Sequence, residues 1–315
     1  MQITFLGTSA GVPTRTRNVT SQAVAFDHGG VWLLDCGEAT QHQLMRAGIK
    51  PARIERILLT HLHGDHCYGI PGALATMAIN GRSEPVSIIG PVGVKELIET
   101  VLRISDTALS FPLEITELDG PRSLPRLEGW QVSAHELPHR VRCFGYCLQE
   151  AERPGRFHPD RAQALGVAPG RQFGQLQRGE AIQLADGRTV RPEQVADPRR
   201  PGRKLVLLGD TCDGTGLAEA GSDCDLLVCE TTYDAAREDK ARQWGHSTTR
   251  MTGELARRLR ARTLIITHFS SRYTDEEPDE PSVEALVAEA ALACPGTTVL
   301  AARDLWSHSI PPRDA

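Results

Sequence analysis

The stretch Thr60–Gly69, THLHGDHCYG, places His61, His63, Asp65 and His66 within six residues, using three of the chain's 11 histidines. Imidazole nitrogens and carboxylates suit zinc and similar divalent cations. Clustered histidines gain little from burial and repel one another when charged, so a purely structural role explains them poorly. Residues two apart on an extended segment share a face, which lets His61 and His63 point at one ion. Gly64 permits a turn, after which Asp65 and His66 can face a second ion. Two cations about 3.5–4 Å apart can activate a water and stabilise both oxygens of a displacement.

That loop alone cannot complete two coordination shells. His139, Asp210 and His268 each follow an apolar run and are the expected remaining ligands. The assignment gives one ion His61, His63 and His139, and the other Asp65, His66 and His268. Asp210 bridges them, because a carboxylate has two oxygens. His135, four residues before His139, stays open as an alternative ligand. His28, His42, His158 and His308 are expected to be ordinary polar residues.

The elements that position these residues are short. Apolar runs at Gln2–Leu6, Val31–Leu34, Ile54–Leu59, Gln131–Ala134, Leu205–Leu208, Leu226–Cys229 and Thr263–Ile266 read as buried strands, and polar residues follow most of them directly. Glu38–Ala47, Gly72–Ile79, Gly93–Ile104, Ser247–Leu259 and Ser282–Ala293 read as helices. The mixture predicts an α/β protein with its chemistry gathered at strand ends.

Composition narrows the class. The chain has 315 residues, 40% hydrophobic and 24% charged, with a formal net charge of −5. No apolar run is long enough for a transmembrane helix, and the N-terminus reads as a strand rather than a signal peptide, so a cytoplasmic protein is expected. The eight cysteines are scattered, as in a reduced and mostly buried set. Cys143 and Cys147 have no second pair of matching spacing, which argues against a cysteine–zinc site. Residues 153–204 differ from the rest: ten Arg and one Lys face five Asp or Glu, a balance of +6 against −11 elsewhere. A solvated insertion is one reading, and a basic arm for a polyanion is the other.

The ligand pattern HLHGDH with His139, Asp210 and His268 downstream resembles the metallo-β-lactamase superfamily. That resemblance implies an αββα sandwich with a dinuclear metal site. Further stretches are similar to the ribonuclease Z family: FLGTSAGVPTRTRN at the start, LDCGEATQ at Leu34–Gln41, CETTY around Glu230, HST at His246–Thr248 and HFSSRY at His268–Tyr273. The resemblance implies one metallo-β-lactamase-fold domain over residues 1–315, with an inserted flexible arm at about 153–204 that grips the tRNA body. The arm's Arg171 stands where Pro is usual, and Phe173 takes an aromatic position. Arg15 replaces a common Lys. Ala39 stands where Gly is usual, with little effect expected.

The family reaction is endonucleolytic removal of the 3′ trailer from precursor tRNA, leaving a 3′-hydroxyl. It implies two zinc ions per subunit, with manganese or cobalt as substitutes, and a homodimer without membrane attachment. Water activated by the metals attacks phosphorus, and Asp65 is the expected proton acceptor. The resemblance assigns His246 as proton donor to the leaving 3′ oxygen, oriented by Glu230. Arg15, Arg17, Asn18, Ser270 and Arg272 are expected RNA contacts near the cut, with Arg171 and Phe173 contacting RNA from the arm. Asp35 and Thr60 are expected to support the ligands. A small-molecule phosphodiesterase or thioester hydrolase on the same metal fold is the alternative.

Overall fold

A computed structural model of the protein describes residues 1–274 and 281–313. The chain divides into two compact units. The first comprises Met1–Arg126, Val132–Leu148 and Lys204–Ile310, and the second is built chiefly from Leu127–Gln131 and Gln149–Arg203.

Among the described residues the strands are β1 Gln2–Gly7, β2 Ser21–Ala25, β3 Val31–Leu34, β4 Ile54–Leu58, β5 Val86–Pro91, β6 Leu113–Leu118, β7 Arg122–Ser123, β8 Trp130–Leu137, β9 Cys143–Glu150, β10 Ile182–Gln183, β11 Thr189–Val190, β12 Lys204–Leu207, β13 Leu226–Glu230, β14 Thr263–Thr267, β15 Thr298–Ala301 and β16 Ser307–Ser309. The α-helices are α1 Thr40–Arg46, α2 Gly64–Cys67, α3 Ile70–Ile79, α4 Val94–Ile104, α5 Pro159–Ala164, α6 Arg171–Gln177, α7 Pro192–Val195, α8 Glu238–Trp244, α9 Thr249–Leu259 and α10 Val283–Ala293.

Two seven-stranded sheets carry the first unit, in the orders β16-β1-β2-β3-β4-β5-β6 and β15-β14-β13-β12-β9-β8-β7. In the first sheet β1, β2 and β3 run antiparallel, whereas β3 to β6 are parallel. In the second, β12 to β15 are parallel. Strands β3, β5, β12, β13 and β14 are mostly Val, Ile and Leu because both faces are covered, whereas β4 (IERIL) and the edge strand β6 (LEITEL) interleave charged residues. On one side Leu44 of α1, Leu74 and Met77 of α3 and Ile98 of α4 pack on Leu33, Ile57 and Ile88. On the other, Leu255 and Leu259 of α9 and Leu286 of α10 pack on Leu227, Leu264 and Ile266. Thr248 and Ser282 cap α9 and α10 by accepting from Met251 N and Ala285 N.

The sheets meet where β4 ends. Phe144 N donates to Thr60 O at 2.8 Å, and the Tyr146 hydroxyl donates to Leu59 O at 2.6 Å. Gly209, just past β12, lies so close that an added Cβ would sit 2.5 Å from Thr60 Cβ. The loops after β4, β12, β13 and β14 therefore share one rim. All eight cysteines are free thiols, and seven are buried.

The second unit is folded, not merely a solvated stretch. Helices α5, α6 and α7 and the β10–β11 hairpin enclose Ala162, Val167, Leu176, Ile182, Val190 and Val195. Phe173 packs at 5.1 Å from Phe157 on that small core. No long apolar run announces it because so small a core needs only six buried side chains. Arg153 and Arg200 exchange backbone hydrogen bonds at 2.9 Å, so the ends of the segment meet.

The expectation for Ala39 is corrected. It caps α1 with φ 59°, in the left-handed region where a Cβ is strained. Glycine relieves that strain, partly offset by its larger unfolded-state entropy. Ala39→Gly should therefore raise stability by about 0.5 kcal/mol, read as a higher denaturant midpoint at unchanged slope. A lower midpoint would contradict this account of α1.

Candidate metal centre and active site

The rim gathers seven predicted ligands from both sheets. His61 and His63 follow β4, and Asp65 and His66 occupy α2, one short turn beyond. The helix was not expected from sequence, and it is what swings Asp65 and His66 around after His63. His139 follows β8, Asp210 follows β12 and His268 follows β14. Donor atoms of His61, His63, His139 and Asp210 lie within 4.8 Å of one another, as do those of Asp65, His66 and His268. Asp210, His246 and His268 form a third such group, and His135 is in none of the three; its ring pairs with Ser133 at 2.9 Å.

Spacing and tautomer both fit divalent cations. His61 Nε2 is 3.0 Å from His63 Nδ1, which is 3.3 Å from His139 Nε2. His268 Nε2 is 3.3 Å from His66 Nε2 and 3.4 Å from Asp65 Oδ2. Asp210 presents Oδ1 to His66 and Oδ2 to His268, both at 3.4 Å, and Oδ2 also to His61 at 3.7 Å. Bonds of about 2.0–2.1 Å to a tetrahedral ion place neighbouring ligand atoms about 3.3 Å apart.

The outer partners set the tautomers. His66 Nδ1 donates to Asp35 Oδ2 at 2.7 Å, and His139 Nδ1 donates to Gly245 O at 2.7 Å. Thr60 Oγ1 donates to Asp35 and accepts from His61 Nδ1 at 2.9 Å. Thr232 Oγ1 donates to Glu230 Oε2 at 2.8 Å and accepts from His268 Nδ1 at 3.0 Å. Four imidazoles thus turn an Nε2 lone pair toward the centre.

Buried charge makes the same demand. Asp35, Asp210 and Glu230 are buried and Asp65 nearly so, yet their ion-pair partners among the described residues are histidines only. Without cations the histidines divide. Burial, then the nearby His66, pushes His61 well below its ordinary range. Burial also opposes charge on His66, but Asp210 and Asp35 outweigh it and hold that ring well above. Burial disfavours charge on Asp65 and Asp210 as well, but neighbouring histidines outweigh it and keep both below the usual carboxylate range. A bound cation replaces the proton on His66 and releases the carboxylates from depending on it.

Beside the cluster, Glu230 is saturated. It accepts from Thr211 N, Thr232 N, Thr232 Oγ1, Ser247 N and His246 Nδ1, the last at 3.0 Å. Burial opposes the charged His246 ring, but Glu230 outweighs it and raises the group to about 9. His246 Nδ1 is also 3.8 Å from Asp210 Oδ2, and its ring lies 5.3 Å from that of His139. With Nδ1 engaged by Glu230, Nε2 is left for other chemistry.

The expected RNA contacts differ in placement. Arg15 is exposed. Arg17 is corrected: it is 5% exposed, its Nη1 donates to Tyr273 O at 2.7 Å, and its guanidinium lies 5.3 Å over Phe269. It ties the loop after β1 to the loop after β14 and has no face to offer RNA. Asn18 donates Nδ2 to Glu38 O at 2.8 Å. Arg272 donates to Ser270 Oγ at 3.0 Å and stands over Tyr233. In the second unit Arg171 is exposed, whereas Phe173 is committed to the core contact with Phe157. Sequence reasoning missed Asp304, which accepts from Thr8 Oγ1, Asn18 N and Gln43 Nε2 and so holds both ends of the first loop. It also missed Thr232, which lies just past β13 and whose hydroxyl turns back onto Glu230.

Comparison with known proteins decides the family. The chain is 46% identical over 279 residues to ribonuclease BN of Cronobacter sakazakii, covering 88% of this chain and 91% of that protein. It is 42% identical over 286 residues to ribonuclease BN of Escherichia coli O6:K15:H31, with the same coverage of 88% and 91%. The chain belongs to the ribonuclease Z family. The crystal structure of the short form of human tRNase Z superposes with a TM-score of 0.71 at 30% identity, covering 99% of this chain and 100% of that one. A family profile described as Anti-Pycsar protein Apyc1 matches residues 1–111 only. The fold is that of metallo-β-lactamases, and this ribonuclease Z relative carries a divalent-metal site.

Asp35 orients two ligands at once, His66 directly and His61 through Thr60. Asp35→Ala should lower divalent-cation affinity about 10–100-fold, measured by metal content against a competing chelator. Unchanged affinity would show that these hydrogen bonds do not orient the ligands.

Proposed function

We infer that this chain is a metal-dependent endoribonuclease that cuts precursor tRNA just 3′ of the acceptor stem and leaves a 3′-hydroxyl. One observation supports this reading above others: the His246–Glu230 pair stands beside the seven-ligand cluster in a chain that resembles ribonuclease BN and human tRNase Z along nearly its whole length.

His61, His63 and His139 would hold one cation, and Asp65, His66 and His268 the other, with Asp210 serving both. Nitrogen and oxygen donors at tetrahedral spacing favour zinc, and manganese or cobalt accept similar ligands. When bound, such cations acidify water and offset charge gathering at phosphorus. The protein supplies the proton transfers. Asp65, held through Oδ2 by Gly11 N at 2.8 Å, accepts the proton of the attacking water. His246 Nε2 donates a proton to the departing 3′ oxygen, and Glu230 fixes the ring for that transfer. Arg15, Asn18, Ser270 and Arg272 surround the entry to the site and contact the RNA near the cut.

The second unit is the tRNA-gripping arm. Arg156, Arg161, Arg171 and Arg191 are exposed and form no salt bridge among the described residues, whereas Arg153, Arg178, Arg188, Arg199 and Arg203 are paired with Glu or Asp. Four exposed arginines outside salt bridges on one small unit suit a phosphate backbone. The family resemblance further suggests a homodimer in the cytoplasm, and light scattering of the purified protein reads the dimer directly.

One experiment tests the roles together. His246→Ala should lower precursor cleavage at least a hundredfold while retaining wild-type metal content. Replacement of residues 153–200 by a short link should abolish precursor binding yet leave hydrolysis of a small chromogenic phosphodiester. Metal loss in the first variant, or precursor cleavage at full rate in the second, would contradict these assignments.

A further inference from the structure

Two exposed residues beside His246 have no role in the reaction described so far. Trp244 ends α8 with 43% of its surface exposed. The Arg140 guanidinium lies 4.8 Å over its ring. Arg140 is itself exposed and forms no salt bridge among the described residues. Arg140 directly follows the ligand His139, and Trp244 precedes His246 by two residues.

Gly245 locks the pair to the reacting centre. It has φ 75°, and its carbonyl accepts from His139 Nδ1 at 2.7 Å. An added Cβ there would sit 2.8 Å from His139 Nδ1 and 3.4 Å from Arg140 N. The end of α8 and the His139–Arg140 turn therefore approach as closely as backbone allows. The backbone positions from which the Trp244 and Arg140 side chains project are thereby tied to His139 and, through Gly245, to His246.

Resting on the reading of His246 as proton donor, we propose that Trp244 and Arg140 form a stacking subsite for the base of the last retained nucleotide. The donor must touch the departing 3′ oxygen. That oxygen belongs to the tRNA's final nucleotide, not to the trailer, whose 5′ phosphate moves toward the attacking water. The base attached to the same sugar needs a platform near His246: Tyr233, whose ring is 6.3 Å from that of His246, is buried, and the exposed aromatic next along the chain is Trp244 with Arg140 over it. An indole face backed by a cation accepts any nucleobase, because every base offers a π-face and the guanidinium adds attraction to it. The subsite holds the nucleotide without reading its identity, and so places the 3′ oxygen against Nε2.

The test uses metal-loaded protein and two precursor tRNAs, one natural and one abasic at the last retained position. Wild type should cut the abasic substrate with kcat/KM about tenfold lower. Trp244→Ala should lose about tenfold on the natural substrate and little further on the abasic one, with metal content unchanged. Trp244→Phe should recover most of the natural rate. Trimmed tRNA ending at that nucleotide should bind Trp244→Ala about tenfold more weakly than wild type. Equal losses by Trp244→Ala on both substrates, no loss on either, or a dependence only on an abasic first trailer nucleotide would overturn the subsite. If wild type cuts the natural precursor in these cases, the ribonuclease reading survives; if wild type cuts neither, that reading falls and the subsite with it.

Discussion

Buried negative charge without a basic side chain to meet it is the constraint on which the rest of this structure depends. Asp35, Asp65, Asp210 and Glu230 stand within one rim, and among the described residues their ion-pair partners are imidazoles only. Removing carboxylates from water is expensive unless opposite charge and hydrogen bonds replace the solvent. Four imidazoles have their outer nitrogen engaged by Asp35, Thr60, Thr232 or Gly245, so their inner nitrogens crowd together at the centre, His61 Nε2 3.0 Å from His63 Nδ1 and His66 Nε2 3.3 Å from His268 Nε2. Cations resolve both problems at once. Stability and metal loading are consequently linked, since ions that bind only the folded rim favour it by mass action.

The backbone accommodates the rim at a local cost. Asp35 and His268 adopt φ 57° and 59°, conformations that are strained for residues carrying a Cβ. Both lie just past strands, where an ordinary exit would carry the side chain away from the centre. The two sheets hold these exits in place through their close approach at Thr60, Phe144 and Gly209. A second layer of polar contacts then fixes the approach to the site. Asp304 and Arg17 anchor the loop after β1, so that Gly11 N can reach Asp65.

Much of this was legible in the residues. The apolar runs ending in Thr60-His61, Gly209-Asp210 and Thr267-His268 announce β4, β12 and β14, because strands buried on both faces are largely apolar, although β4 still carries Glu55 and Arg56 at half-buried positions. Strands β2, β6 and β9 were not foreseen: SQAVA, LEITEL and CFGYCLQE mix polar or small residues into the run. Helix α2 was missed because four residues carry no periodicity, only the consequence that Asp65 and His66 turn together. The histidines and aspartates that gather at the rim announced themselves by chemistry and spacing. Arg17 misled for the opposite reason, since a guanidinium in a Gly-rich loop looks like an anion site until Phe269 and the Tyr273 carbonyl are seen to enclose it. The small core of the second unit was equally invisible, its six buried residues being dispersed among Gly, Pro and Arg.

The central claim is that a cation-dependent water, not a ribose hydroxyl, attacks the phosphodiester of a tRNA precursor at this rim. Mapping the termini released from an end-labelled precursor, with and without added zinc, tests it most directly. The account requires zinc-dependent cleavage just past the acceptor stem, giving a 3′-hydroxyl on the tRNA and a 5′-phosphate on the trailer. A 2′,3′-cyclic phosphate or 3′-phosphate on the tRNA, or the same cut after complete metal removal, would contradict it.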